Sequence, residues 1–260
     1  MLQDCTYQLT FIVNFPPSIQ RMNLPSTIVI SLKRSETRRA DFKTLLEQSA
    51  LDWEILDAID GLQLQSTPPE YHEEKVIRLL GFPLSASEIG CFLSHRLAWA
   101  RCSEKDRPTL ILEDDFTFTP HFYESLSMTI ESYHDWDILR LQGLGETSDS
   151  TLVNHPGFRI VENHGDPLGA SAYVITPRAA KKLIQYSQAI YEPLDHFLEH
   201  RQKHGLKIVA IKPYPIIVKG NSSTILDRPE RKPIDGIRKL LRSLARKIDR
   251  LTNPNPWFPK

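Results

Sequence analysis

Residues 109–118 read TLILEDDFTF, an apolar run that ends in three consecutive carboxylates, Glu113, Asp114 and Asp115. The run predicts a buried strand, and the acidic triplet marks where it leaves the core. On a strand, successive side chains take opposite faces, which puts Glu113 and Asp115 on one side and Asp114 on the other. Three like charges at one strand end cost stability unless something positive sits among them. A divalent cation carrying a diphosphate meets that need, because hard oxygen ligands suit Mg2+ or Mn2+ and phosphate oxygens complete the coordination sphere. A charged loop following a strand is the plainer alternative.

Upstream, residues 26–32 (STIVISL) predict a strand, followed by a helix with Ser35 at its N-cap and Glu36 in its first turn. Residues 53–58 predict a second strand closed by an Asp60-Gly61 turn, and residues 62–83 read as a polar surface excursion. Ser85 and Glu88 stand at capping-box spacing, and Ile89, Leu93, Leu97 and Ala100 continue at helical spacing. They predict a helix over residues 86–102, with Ser94 and His95 away from its apolar stripe. Downstream come a helix after Pro120, strands at 137–141 and 169–175, a helix opened by Thr176-Pro177, another from Pro193 to near Gly205, and a strand at 207–212. Strands alternating with helices predict an α/β domain with a mainly parallel sheet flanked by helices on both faces. Such sheets bind ligands beyond the carboxyl ends of their strands. Here those ends carry Lys33 and Arg34, Asp60, and the triplet Glu113 to Asp115.

The 260 residues hold 32 Lys+Arg against 32 Asp+Glu, so the net charge is zero and no general field favours nucleic acid. Cys5, Cys91 and Cys102 lack metal-ligand spacing; they read as reduced thiols, with Cys91 and Cys102 as ordinary helix residues, and suggest an intracellular compartment. Residues 1–15 lack a basic start and interrupt their apolar stretch with Gln8, Thr10 and Asn14, which fits neither a signal peptide nor a membrane span. The chain divides into an N-terminal extension (1–25), an α/β domain (26–227) and a basic C-terminal helical tail (228–260).

Six motifs in order make the chain similar to glycosyltransferase family 25, which includes bacterial lipooligosaccharide galactosyltransferases and the collagen galactosyltransferases. They are VISLKRSETRR (29–39), DAIDG (57–61), LSASEIGCFLSH (84–95), LILEDD (110–115), GASAYVIT (169–176) and PLDHFL (193–198). The resemblance implies a GT-A type fold, a UDP-hexose donor, a saccharide or lipid-linked saccharide acceptor, and inverting transfer of a hexose such as galactose. It implies a divalent cation, Mn2+ or Mg2+, held by Asp115, with Glu113 and Asp114 reaching ribose or sugar hydroxyls. Of the basic cluster Lys33, Arg34, Arg38 and Arg39 at the first strand-to-helix junction, Arg34 and Arg38 match recurrent motif positions and would meet the donor, while a solvated helix face accounts for at least two of the four. Ser94 and His95 are donor-site candidates because the pair recurs in the family, and Asp60 can reach the nucleoside. Inversion needs a base opposite the leaving group, and Asp195, at the start of a predicted helix, is the candidate.

His196, His200 and His204 recur every four residues, but no third ligand is placed to share an ion with an adjacent pair, so they read as a polar exposed face. Over residues 235–251, six basic and two acidic side chains (6 − 2 = +4) flank an apolar stripe at helical spacing. Such a helix suits an anionic membrane surface, with Trp257 and Phe258 as interfacial anchors, although packing on its own domain explains the apolar stripe equally well. The expected location is therefore the cytoplasm, with peripheral contact on the inner face of the cytoplasmic membrane; lack of a secretory signal favours a bacterial enzyme over a lumenal one. Two alternatives stand beside this reading. One is a non-catalytic relative that binds a nucleotide sugar or a partner; the other is a metal-dependent phosphohydrolase, disfavoured because Glu113 occupies the position of its nucleophilic Asp.

Overall fold

A computed structural model describes residues 24–219; the expected basic tail and nearly all of the expected N-terminal extension lie outside the described residues. The chain begins with strand β1 (Ser26–Ser31), helix α1 (Glu36–Glu47) and strand β2 (Trp53–Asp57), then α2 (Glu73–Leu80) and α3 (Ala86–Ser103). Next come β3 (Thr109–Glu113), β4 (Phe116–Phe118), α4 (Phe122–Ser132), β5 (Ile138–Arg140), β6 (Asp149–His155), β7 (Phe158–Asn163) and β8 (Ala172–Ile175). Helices α5 (Pro177–Tyr186), α6 (Leu194–Leu198) and α7 (Arg201–His204) precede β9 (Ile208–Lys212) and β10 (Ile216–Val218).

Eight strands form one sheet in the order β2-β1-β3-β8-β5-β9-β7-β6, and β10 pairs with β4 in a small second sheet. The sheet is mixed rather than mainly parallel. Only β1–β2, β1–β3 and β5–β9 pair in parallel, while β8 runs antiparallel to both β3 and β5, and β7 to both β6 and β9. Counting elements along the sequence could not supply strand direction, and the β6–β7 hairpin interrupts the alternation on which the parallel reading rests. That hairpin turns through Pro156 and Gly157, with Gly157 at φ 85°, a conformation that costs glycine little.

Side chains alternate across the sheet and divide the core in two. Ile28, Ile30, Ile111, Tyr173 and Ile175 face α3, α5 and α6, whereas Val29, Leu110, Leu112, Ala172 and Val174 face α1 and α4. The capping box is present: Ser85 Oγ accepts the Glu88 N–H at 3.2 Å, and Glu88 Oε2 accepts the Ser85 N–H at 2.9 Å. Thr176 likewise caps α5, with Pro177 in its first turn. Ser35 precedes α1 but makes no side-chain cap.

Four local expectations change. Residues 62–83 include α2, whose Val76 and Leu79 are buried and whose end is set by Gly81 at φ 91°. On α3, Leu97 is exposed whereas Ser94 and His95 are buried, because partners on β8 and β3 satisfy the imidazole. The helix expected from Pro193 to Gly205 breaks into α6 and α7 at Glu199 and His200, where Glu199 turns inward to pair with the buried Arg140. The three histidines do not form an exposed face: His196 is exposed, but His204 is buried.

Candidate active site

Because β1, β2 and β3 are parallel, their carboxyl ends open at one edge. Since β8 is antiparallel to β3, its preceding loop, Gly169 to Ser171, reaches the same edge, where the Glu113 N–H donates to Ser171 C=O at 2.8 Å. Helix α6 closes another side. The result is a cavity of about 450 Å3 lined by Arg34, Arg38, Asp60, Ser94, His95, Glu113, Asp114, Asp115 and Asp195 among others. All nine residues singled out from the sequence therefore meet in one place.

The three carboxylates have different surroundings. Asp114 and Asp115 form a turn after β3 rather than continuing the strand, so they do not alternate as strand residues. Glu113 is held at both oxygens: Ser171 Oγ donates to Oε2 at 3.0 Å, while Cys91 Sγ at 3.6 Å and His95 Nε2 at 3.3 Å meet Oε1. Burial raises its pKa, but the bonds from His95, Ser171 and Cys91 outweigh it and leave the carboxyl below its usual value. Asp114 accepts from Ser31 Oγ at 2.6 Å and from Arg38 Nη1 at 3.0 Å. Asp115 is different. Its Oδ1 is buried without a hydrogen-bond partner, and its Oδ2 is 4.0 Å from Arg38. Burial first, and then the Glu113 charge, push its pKa up to about 6.

The Glu113 end of the cavity is anchored by a chain of hydrogen bonds. Trp99 Nε1 can only donate, and it does so to Tyr173 OH at 2.8 Å. Tyr173 OH lies 2.9 Å from His95 Nδ1, so a tyrosine proton given to Nδ1 leaves Nε2–H to donate to Glu113.

The basic cluster divides. Arg34 Nε donates to Asp60 Oδ2 at 2.6 Å, and Arg38 reaches the triplet; both line the cavity. Lys33 and Arg39 instead pair with Asp57, and Arg39 also donates to the Ser31 and Leu32 carbonyls. Asp60 additionally caps the turn by accepting the Leu62 N–H. Ser94 gives its proton to Gly90 C=O at 2.6 Å and accepts the Ile59 N–H at 2.8 Å, so it ties the 59–61 loop to α3. That docking is close: a Cβ on Gly61 would lie 1.7 Å from the Ala86 carbonyl oxygen. Asp195 also lines the cavity, with Oδ1 accepting the His196 N–H at 2.9 Å.

Residues 24–198 match the sequence family described as glycosyltransferase family 25 (LPS biosynthesis protein). The chain belongs to glycosyltransferase family 25. That match covers all nine candidate residues, while Val218, which also lines the cavity, lies beyond it. Among family 25 relatives, procollagen galactosyltransferase 1-A of Xenopus laevis is 28% identical over 213 residues, covering 76% of this chain and 34% of the relative. A glycosyltransferase 25 family member of Aedes aegypti is 25% identical, covering 88% of this chain and 42% of the relative. The inactive glycosyltransferase 25 family member 3 of Mus musculus is 26% identical, covering 70% and 33%. The chain thus spans about a third to two-fifths of these curated relatives. A solved inositol-1-phosphate CTP transferase from T. maritima aligns at a TM-score of 0.37 and 13% identity, over 73% of this chain and 86% of that one, too distant a likeness to bear on function.

Sequence reasoning missed several residues that shape the family 25 site. Ser31 ends a strand and signalled only β propensity. Cys91 is not an ordinary helix residue: it stands one helical turn before His95 and touches Glu113, a spacing visible in the sequence. Ser171 and Tyr173 sat within a motif that gave no sign of direction. Cys102, by contrast, is buried as a helix residue of the core. Among the described residues no helix is long and apolar enough to cross a membrane.

Proposed function

We propose that this family 25 chain transfers a hexose, galactose in the first instance, from a UDP-sugar to a saccharide acceptor with inversion at the anomeric carbon. The observation that carries this reading is the unequal treatment of the three carboxylates: the protein satisfies Glu113 and Asp114 internally but leaves a buried oxygen of Asp115 without a partner. An orphaned buried carboxylate oxygen with a raised pKa fits a divalent cation, Mn2+ or Mg2+. Asp115 would hold it, and the chemistry supplied there is stabilisation of negative charge on the departing diphosphate.

The chain's own residues do the rest. Arg34 gives two of its five N–H donors to Asp60 and has others to offer a phosphate or nucleobase. Arg38 holds Asp114 and lies beside Asp115, which limits repulsion within the triplet. Asp195 uses Oδ1 for the local N–H, and its other oxygen accepts the proton of the acceptor hydroxyl. As the deprotonated acceptor oxygen bonds to the anomeric carbon, the carbon–oxygen bond to the diphosphate breaks and its electron pair leaves with UDP. A lipid-linked acceptor for lipooligosaccharide or lipopolysaccharide synthesis agrees with the family description, and the basic tail would hold the enzyme at an anionic membrane surface. A non-catalytic binding role is the second reading, because one relative is named inactive.

Incubation with a panel of UDP-hexoses, a saccharide acceptor and Mn2+ tests the proposal, with nuclear magnetic resonance reporting the anomeric configuration of the product. Transfer with inversion, lost in Asp195→Asn while donor binding persists, is the expected result. Donor binding without transfer or hydrolysis would leave the binding role, and release of phosphate from simple esters would leave the phosphohydrolase.

A further inference from the structure

The cavity holds a second set of metal-competent groups with different chemistry. Cys91 Sγ, His95 Nε2 and a Glu113 carboxylate oxygen all lie within 4.8 Å of one another. Cys91 and His95 stand four residues apart on α3, so both project from one helical face toward the end of β3. Bond lengths of about 2.3 Å for zinc–sulfur and about 2.0 Å for zinc–nitrogen or zinc–oxygen imply tetrahedral edges of roughly 3.5 Å (sulfur to oxygen) and roughly 3.3 Å (nitrogen to oxygen). Two of the corresponding separations here are 3.6 Å and 3.3 Å, and the third, Cys91 Sγ to His95 Nε2, lies within 4.8 Å, so bound zinc would draw these two side chains together to roughly 3.5 Å. His95 also has the second partner that metal-bound histidines require, Tyr173 OH at 2.9 Å from Nδ1.

We propose that Cys91, His95 and Glu113 form a binding site for Zn2+, distinct in ligand type from the all-oxygen group at Asp115. A thiolate, an imidazole and a carboxylate select zinc, whereas Mn2+ and Mg2+ prefer oxygen alone. The proton balance is simple. The Cys91 thiol gives its proton to solvent, and the His95 ring moves its proton from Nε2 to Nδ1, where the Tyr173 oxygen accepts it. Zinc replaces the hydrogen bonds that Glu113 now receives from Cys91 and His95. Because all three ligands line the cavity, the fourth coordination position is left to water, and bound zinc obstructs the space assigned to the donor.

Cobalt(II) is the direct probe, since a cobalt–thiolate bond gives a near-ultraviolet charge-transfer absorption that oxygen ligation does not. One equivalent of Co2+ added to the full chain is expected to produce this band, and one equivalent of Zn2+ to remove it. Cys91→Ser, with an unchanged circular dichroism spectrum, is expected to lose the band. Absence of the band from the wild type, or its persistence in Cys91→Ser, would overturn the proposal. X-ray absorption of the zinc-loaded wild type is independent of any variant: one sulfur neighbour at about 2.3 Å supports the site, and a shell of oxygen and nitrogen alone refutes it. Neither readout needs a sugar donor, so the zinc site can fail or stand separately from the transferase proposal.

Discussion

Replacing Asp115 with Asn should stabilise the cation-free protein while removing its cation binding. Burial and the neighbouring Glu113 charge raise the Asp115 carboxyl from 3.8 to about 6. A shift of about two units corresponds to roughly 3 kcal/mol against the ionised form. The sign follows from proton binding: between the two pKa values the folded state holds a proton that the unfolded state has released. The contribution of Asp115 to stability is therefore fully present below about pH 4 and is lost as pH rises through about 6. At pH 7.5 with a chelator present, Asp115→Asn should exceed the wild type by up to roughly 3 kcal/mol, and the difference should fade toward pH 4. Added Mn2+ nearly closes that gap at a hundredfold its Kd, where a bound ligand contributes about 2.7 kcal/mol, and reverses the ranking at a thousandfold, where it contributes about 4.1 kcal/mol. Urea unfolding followed by tryptophan fluorescence, from pH 4 to 8 with chelator or Mn2+, measures both effects. A variant no more stable than the wild type at pH 7.5, or equally stabilised by Mn2+, would refute the account of Asp115.

Three further perturbations probe the scaffold. His204 is fixed as a neutral tautomer, with Nδ1 accepting the Leu206 N–H and Nε2–H donating to Leu198 C=O, and burial holds its pKa at about 3. Below about pH 6.5 the unfolded chain gains a proton that the native state refuses, so at pH 5 this one group should cost roughly 2 kcal/mol; in His204→Gln the stability difference between pH 7.5 and 5 should shrink by that amount in urea titrations. Arg140 pairs with Glu199 in the core and donates to Leu168 C=O and Gly169 C=O, so Arg140→Met should cost about 3–5 kcal/mol in the same assay, with much of it recovered in Arg140→Met/Glu199→Leu. Gly61→Ala should weaken UDP binding measured by calorimetry, because its Cβ would force the 59–61 loop off α3, whereas Gly157→Ala, with nothing within 4 Å of its Cβ, should leave UDP binding unchanged.

What the sequence made legible was local. Ser85 and Glu88 announce a helix start because the capping box closes within four residues, and Thr176-Pro177 does so for the same reason. The cavity residues were legible for a related reason: parallel strands put their carboxyl ends together, so basic, acidic and turn residues at three such ends had to converge. Strand direction was not local. Nothing within residues 172–175 says whether they run with β3 or against it, and the Pro156-Gly157 turn, readable in itself, did not reveal where its strands would pair. His95 was misplaced on its helix because periodicity places a polar residue outside by default, whereas Tyr173, Trp99 and Glu113 make its burial tolerable.

The antiparallel course of β8 matters beyond topology. Had β8 run with β3, its preceding loop would lie at the far edge of the sheet, and Ser171 could not donate to Glu113. Tyr173 is two residues further along the same strand, on the α3 face, where it meets His95 and Trp99. One strand direction thus delivers two of the groups that fix Glu113, one bonded directly and one through the imidazole. With Glu113 fixed by β8 and Asp114 by Ser31 and Arg38, the unmet demand for positive charge falls on Asp115 alone. The departure from a parallel sheet is therefore what lets three adjacent carboxylates coexist while Asp115 alone keeps a buried oxygen without a protein partner.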